Sequence, residues 1–366
     1  MIYHVYWGTA GNMGLYLDEI YQSLHAGGFD QKVFVNYYYP FNYGHKVFFK
    51  FTELGHGLKQ GSVRNAVRYL ELIYALARIY ISIRRHKPEV VNYSFIGVFT
   101  PVVLFLKLIK KTTRCQLVLT CHDVMPFENG VQALSKQEQM RKACFLLADF
   151  LLVHNNHSAS QLVNSFGIAP EKILRHPFPV MDLRKLYPAA KPLQPKYDFL
   201  FLGHLRREKG IEVLLAAWRQ FHAQHPEARL CIAGSNPFGL TPSDYDGENI
   251  DFVLHFLSEE EYFTLARQTR YVVLPYTEGT NSGVVSTLAT LVGTNIITSD
   301  LEMFTSNPLL NREYMFKAGD SAALCEKLSL TYGNRVEDSQ NMADVELYRS
   351  SFGQEVVALY KRLVQP

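Results

Sequence analysis

The stretch FLFLGHLRREKGIEVLLAAW, residues 199–218, sets four apolar residues against a glycine, three cations and a second apolar segment of different spacing. The run 199–202 is short and continuous, the pattern of a strand buried on both faces. Gly203 breaks it, and Ile211, Leu214, Leu215 and Trp218 then recur at the spacing of one helix face. A buried strand that turns through glycine into a helix is the repeating unit of a doubly wound α/β sheet. Arg206, Arg207 and Lys209 stand on that turn. Two readings of them are open: the solvated rim of a loop, or cations that join the free N–H groups of the following helix in a site for an anion.

The same alternation runs outward in both directions. Downstream, ARLCIAG, IDFVLHFL, YVVLPY and NIITSD read as strands, with SEEEYFTLARQ and SGVVSTLATLVG as helices among them. Upstream, MIYHVYWG, QKVFVNYYY, EVVNYSF, QLVLTCHD and DFLLVHN read as strands. The helices of that half are GLYLDEIYQSLHAGG, a long one from Arg64 to Arg85, PVVLFLKLIKK, one ending near Ala148, and SASQLVNSFG. A chain of 366 residues exceeds the size at which one core keeps growing, so two domains are expected. The proline-rich HPFPVMDLRKLYPAAKPLQPK, residues 176–196, forbids a long helix or central strand and reads as the linker. The sequence thus predicts an α/β protein of two doubly wound, Rossmann-like domains, residues 1–185 and 186–350, with a final helix at 351–366 packing back on the first. Two such domains facing each other leave a cleft at the carboxyl ends of both sheets, where open α/β folds bind ligands.

Bulk composition narrows the class. With 48% hydrophobic and 19% charged residues the chain has an ordinary globular make-up. Its start, MIYHVYWGTAG, has no basic leader followed by an apolar core, so a cytoplasmic protein is expected. Five scattered cysteines without C-x-x-C spacing predict reduced thiols and no structural zinc. The net charge of +3 hides a split: residues 1–190 carry an excess of nine basic side chains, and the remainder an excess of six acidic ones. No run of eighteen apolar residues predicts a membrane-spanning helix. TPVVLFLKLIKKTTR and RNAVRYLELIYALARIYISIRR are basic and apolar enough to lie on an anionic bilayer surface, although a core helix with a basic last turn explains the first of them as well. The basic excess is spread over helices without a nucleic-acid motif, so nucleic acid is not an expected partner.

Several strand ends carry chemistry. GTAGNMG (Gly8, Gly11, Gly14) approaches but does not match G-x-G-x-x-G, and no acidic residue follows a second strand at the distance that would hold a dinucleotide ribose. LTCHDVMP ends a strand with His122 and Asp123, a pair suited to a ligand crevice. GHLRREKG offers Gly203 with Arg206 as a fork and Lys209 as a point charge for one diphosphate. LPYTEGTNSGVV places Glu278, Thr280, Asn281, Ser282, Gly283 and Val284 at the start of a helix, whose first amides bind anions without a metal.

Taken together, these segments resemble a family 4 glycosyltransferase of the GT-B fold. The resemblance runs through nearly the whole chain and is strongest in FLFLGHLRREKGIEVLLAAW and VVLPYTEG…SGVVSTLATLVGTNIITSD; VLTCHDVMP, LLVHNNHSASQLVNSFGI and ILRHPFPV are similar to first-domain segments of the family. It implies transfer of a sugar from a nucleotide-sugar (UDP- or GDP-linked) to a glycan or lipid-linked acceptor. It further implies retention, no bound metal or cofactor, and a donor held by the second domain. Arg206, Lys209 and the amides at Ser282 and Gly283 would then hold the diphosphate, with Gly203, Thr280, Asn281 and Val284 around it. His122 and Glu278 would address the sugar, and the Gly11–Gly14 loop would approach phosphate or acceptor. A lipid-carried acceptor would place the enzyme on the inner face of the cell membrane, in surface polysaccharide or glycolipid assembly.

The family commonly carries two glutamates eight positions apart around the donor helix. Counting back from Asp300 and Gly293 puts Thr280 and Leu288 there, unless a slip in the loop restores Glu278 as the first. His204 stands where an arginine often follows the glycine. These departures keep two alternatives open: a nucleotide-sugar epimerase of the same fold, and a non-catalytic relative that binds nucleotide or partner.

Overall fold

The computed structural model describes residues 1–8, 12–53, 56–95, 99–122, 124, 136–182, 185–186, 195–279, 283–292, 295–333 and 338–364. The chain divides into two compact units, Met1–Pro179 with Ser351–Pro366, and Val180–Ser350.

The first unit alternates β1 (Ile2–Val5), α1 (Asn12–Ala26), β2 (Gln31–Asn36), β3 (Gly44–Phe48), α2 (Ser62–His86), β4 (Val90–Phe95), α3 (Thr100–Thr112), β5 (Gln116–Cys121), α4 (Lys136–Leu147), β6 (Phe150–Val153), α5 (Asn156–Phe166) and β7 (Ile173–Arg175). Its strands form one parallel sheet in the order β3-β2-β1-β4-β5-β6-β7. The second unit has β8 (Tyr197–Leu202), α6 (Ile211–His222), β9 (Leu230–Ala233), β10 (Ile250–Val253), α7 (Glu259–Arg267), β11 (Thr269–Leu274), α8 (Gly283–Val292), β12 (Ile296–Ser299), α9 (Glu302–Thr305), β13 (Met315–Phe316) and α10 (Ser321–Gly333). Its parallel sheet runs β10-β9-β8-β11-β12-β13. The last helix, α11, spans Asp338–Val364 and so begins well before the final helix expected at 351–366. In each sheet the strand order reverses once, between β1 and β4 and between β8 and β11.

Strand alternation explains how the second core is divided. Phe199 and Phe201 point to a layer with Leu214, Trp218 and Phe221 of α6 and Leu324 and Leu328 of α10. Leu200 and Leu202, one residue out of phase, point to Ala266 of α7, Val285 and Leu288 of α8, and Phe304. A strand whose two faces are both covered must be apolar at successive positions, which is the run seen at 199–202. In the first unit Tyr3, Val5, Val91, Leu117 and Leu119 face Ile79 of α2 and Leu106 of α3 in the same way.

Helix α3 buries Val102, Phe105, Leu106 and Ile109, as a core helix does, yet leaves Leu104 and Leu108 exposed. Helix α2, packed beside it, is apolar on both sides: Leu72, Leu76, Ile79 and Ile83 are buried, while Val63, Leu70, Ile73, Tyr74 and Ile81 face outward.

The end of α11 is tied to the first sheet by a buried polar chain. Asn92 Nδ2 donates to the Tyr360 hydroxyl at 2.7 Å, and Thr120 Oγ1 donates to Asn92 Oδ1 at 2.8 Å. All three residues are nearly inaccessible, so each group depends on the next for its hydrogen bond. Tyr360→Phe would strand the Asn92 amide. Chemical denaturation is expected to show the variant less stable by about 1–3 kcal/mol.

Candidate functional site

The reversal between β8 and β11 opens the crevice where a doubly wound sheet takes its ligand, and the loops leaving these two strands are pressed together there. Gly210 follows a single 3-10 turn, Arg207–Lys209, with φ 69°, and a Cβ on it would stand 1.8 Å from the Pro275 carbonyl oxygen. Only glycine combines that left-handed backbone with that approach. Beyond it, the Thr277 N–H donates to the Glu208 carbonyl at 3.0 Å and the Glu278 N–H to the same oxygen at 3.4 Å. The Thr277 hydroxyl donates to the Arg207 carbonyl at 3.4 Å. On the other side, a Cβ on Gly234, after β9, would meet the Gly203 carbonyl oxygen at 1.8 Å. The backbone therefore brings Gly203, Arg206, Lys209 and Glu278 to one sheet end.

The three cations of the opening stretch have different surroundings. Arg207 is a rim residue, its side chain 83% exposed and 3.8 Å from Glu212. Arg206 is exposed and 3.8 Å from Glu208, an ion pair that solvent screens. Lys209 is half-buried, its Nζ 3.8 Å from the centroid of the Tyr276 ring. No carboxylate among the described residues lies within ion-pair distance of that ammonium. Burial lowers its pKa to about 8, with Glu208 acting to raise it and Arg206 to lower it further. A partly desolvated cation of this kind gains by meeting an anion. Glu278 is exposed on the loop whose N–H groups bond the Glu208 carbonyl.

Helix α8 begins at Gly283, and its first N–H groups have no acceptor within the helix. Gly283 and Val284 are half-buried at that end. Thr280, Asn281 and Ser282 lie outside the described residues. Leu288 is fully buried between α8 and the sheet, so that position serves packing. His204 is exposed and hydrogen-bonds Ser235 Oγ.

The remaining expected residues belong to the first unit. Gly11 and Asp123 lie outside the described residues. Gly14 is buried in α1, its carbonyl accepting from the Tyr39 hydroxyl at 3.3 Å. His122, just after β5, is one of three histidines at successive strand ends; His154 follows β6 and His176 follows β7. His122 Nδ1 lies 3.1 Å from His154 Nε2, and Tyr16 meets His122 edge-on at 4.7 Å between ring centroids. His176 Nδ1 donates to the Pro177 carbonyl at 2.7 Å, so its Nε2 accepts from the Tyr16 hydroxyl at 3.0 Å. Burial pushes His122 down to about 3 and His176 to about 4, and holds His154 well below the usual range. All three are neutral at pH 7, able to exchange hydrogen bonds but not to supply charge. Sequence reasoning singled out His122 and passed over the other two, although each sits one residue beyond a predicted or observed strand in LLVHN and ILRH. Among the described residues, no group of three His, Cys, Asp or Glu side chains could hold a metal ion.

Residues 196–334 match the family model described as Glycosyl transferases group 1. The matched segment lies within the second unit, which is thus similar to a group 1 glycosyl transferase domain. The strand ends that gather Arg206, Lys209 and Glu278 all lie within the matched segment. Solved structures share the fold of the whole chain. Sucrose-phosphate synthase from Thermosynechococcus elongatus is 16% identical with a TM-score of 0.61, covering 99% of each chain. A structure described as trehalose-6-phosphate from E. coli bound with UDP-2-fluoro glucose is 11% identical with a TM-score of 0.61, covering 100% of this chain and 99% of that one. Anabaena HepE in complex with UDP and glucose is 15% identical with a TM-score of 0.51, covering 99% of this chain and 98% of that one. The architecture is GT-B. No curated protein matches the sequence.

Gly210→Ala tests the contact on which the site's geometry depends. Gly239 has a comparable φ of 79° but open space around its Cβ position. In urea titrations, Gly239→Ala should cost about 1 kcal/mol for the backbone alone, and Gly210→Ala several times that because the Pro275 loop must move.

Proposed function

We propose that this protein is a glycosyltransferase that moves a sugar from a nucleoside-diphosphate sugar to an acceptor with retention of configuration and without a bound metal, using Lys209, Arg206 and the first amides of α8 to hold the diphosphate. The observation that carries this reading is the half-buried Lys209 ammonium, unmatched by a carboxylate among the described residues, at the strand-order reversal of the second sheet. As the glycosidic bond breaks, negative charge grows on the leaving diphosphate. Cations and amides already fixed around it stabilise the transition state more than the ground state. Glu278, exposed on the loop bonded to the Glu208 carbonyl, is assigned a hydroxyl of the sugar. In the first unit, His122 as a neutral imidazole would bond a sugar hydroxyl without adding charge. UDP is the first nucleotide to test, since two proteins of like fold were solved with UDP or a UDP-sugar, and GDP the second.

The depressed pKa fixes the pH dependence. Folding places a lysine of ordinary pKa 10.5 in a setting where it falls to about 8, so its burial destabilises the protein fully below pH 8 and ceases to do so above 10.5. A bound diphosphate favours the ammonium, and binding above pH 8 must take up a proton. Calorimetry is expected to show UDP affinity falling by up to about tenfold per pH unit above that value, with one proton absorbed. In Lys209→Ala this dependence should vanish, and turnover should drop by about 10²–10³-fold. A pH-independent affinity in the native protein would count against the diphosphate role.

The acceptor is proposed to be lipid-linked, as in surface polysaccharide or glycolipid assembly, with the outer faces of α2 and α3 resting on an anionic membrane. Leu70 and Ile81 of α2 are each 64% exposed and Leu104 of α3 60%, flanked by exposed Arg78, Arg85, Lys107 and Lys111. Such a face gains from apolar insertion and about 1 kcal/mol per cation near an anionic surface. No helix among the described residues is long and apolar enough to cross a membrane. The protein should float with phosphatidylserine-rich vesicles at low salt and not with phosphatidylcholine vesicles. A Leu70→Glu, Ile81→Glu double variant should stay in solution with its fold intact.

A further inference from the structure

The ring beneath Lys209 belongs to a residue held on all its other sides. Tyr276 is 1% exposed and packs in the core layer with Leu200, Leu274, Val285 and Phe304. Phe304 of α9 flanks it at 5.5 Å between ring centroids. The residue before it, Pro275, has its carbonyl pressed to Gly210, and the residue after it, Thr277, bonds Glu208 through its N–H. The ring is fixed by core and backbone alike. The lysine, with four rotatable carbons, is the partner that would otherwise swing into water.

We propose that Tyr276 is a positioning residue whose ring face holds the Lys209 ammonium over the carboxyl end of the second sheet before any anion arrives. Its functional meaning rests on the reading of Lys209 as a diphosphate contact; the pairing of ring and ammonium does not. A carboxylate in this place would also fix the ammonium, but would neutralise it and compete with a phosphate. The quadrupole of an aromatic ring restrains the cation and leaves its charge available to a ligand above. The other charges acting on Lys209 come from its own turn, where Arg206 opposes protonation and Glu208 favours it, and Glu278 stands exposed on the loop that carries Tyr276.

The test compares native protein with Tyr276→Phe, which keeps the ring, and Tyr276→Leu, which removes it. In unliganded protein, the rate at which an acylating reagent modifies the Lys209 amine is followed against pH by peptide mass spectrometry. Losing the ring removes a stabiliser of the charged form. The midpoint is therefore expected to fall by about half to one and a half pH units in the Leu variant and to stay put in the Phe variant. A midpoint unchanged or raised in Tyr276→Leu, or moved equally in Tyr276→Phe, overturns the proposal. Should the Leu variant fail to fold, Tyr276→Met, which fills more of the volume, takes its place under the same criteria. UDP binding is then measured on the same proteins, with a several-fold loss expected for Leu and none for Phe. If the amine midpoint moves as stated while UDP affinity does not, the ring's hold on Lys209 stands and the diphosphate role fails.

Discussion

Gly210 and the carbonyl of Pro275 occupy a space that no side chain can share, and the second unit's site depends on that exclusion. The two loops leave strands that are neighbours in the sheet but far apart in sequence, β8 and β11. Parallel pairing aligns the strands; it says nothing about how the loops beyond them meet. The glycine contact, with the Thr277 and Glu278 N–H groups on the Glu208 carbonyl, converts two loops into one backbone surface. The cations inherit their placement from it. Arg206 and Lys209 are thus located by main-chain geometry, which a substitution of either side chain leaves intact.

Burial then sorts the charged groups of both units by one rule. A charged form taken from water is disfavoured in proportion to what it loses, and only a partner restores it. His122, His154 and His176 are deeply enclosed and meet aromatic rings, a carbonyl and one another, so they are held neutral. Lys209 is enclosed only in part and meets a ring, so its pKa falls without leaving the range in which it is mostly protonated at pH 7. The two sites differ chemically because their depths differ. Three neutral imidazoles can exchange hydrogen bonds, and one half-buried ammonium keeps its charge.

The alternation of apolar runs made most of the architecture legible, because strands covered on both faces must be apolar throughout. The elements that escaped are those where this constraint is weakest. β3, β7 and β13 are sheet edges, and two of them are only two or three residues long. GHKVF in β3 carries exposed polar residues that a covered strand would not have. α10 buries Leu324, Cys325, Leu328 and Thr331 within a sequence of mixed small and polar residues, and α11 starts in a segment with no apolar period. The RREKG turn could be located from sequence, but the separate fates of its cations could not. That Arg207 is rim and Lys209 lies over Tyr276 follows from a contact between residues 67 positions apart. His154 and His176 escaped because neither stands out alone in the sequence, and only the sheet order β5-β6-β7 sets them beside His122.

Leu288 shows what kind of instrument α8 is. From Val285 to Thr290 every residue of this helix is buried. Two of its hydroxyls turn inward to its own carbonyls, Thr287 donating to Gly283 and Val284 and Thr290 to Thr287, while Ser286 Oγ is buried. A helix buried from Val285 to Thr290, with its hydroxyls turned inward, has its first turn to offer. A carboxylate in place of Leu288 would be an unpaired charge against Leu200 and Val272, at a cost no single hydrogen bond repays. Whatever recognition α8 provides must come from the backbone N–H groups at Gly283 and Val284, which bind negative charge and are indifferent to the base or sugar attached to it. Such groups read charge and not shape, so any choice between bases or sugars has to come from side chains outside this helix.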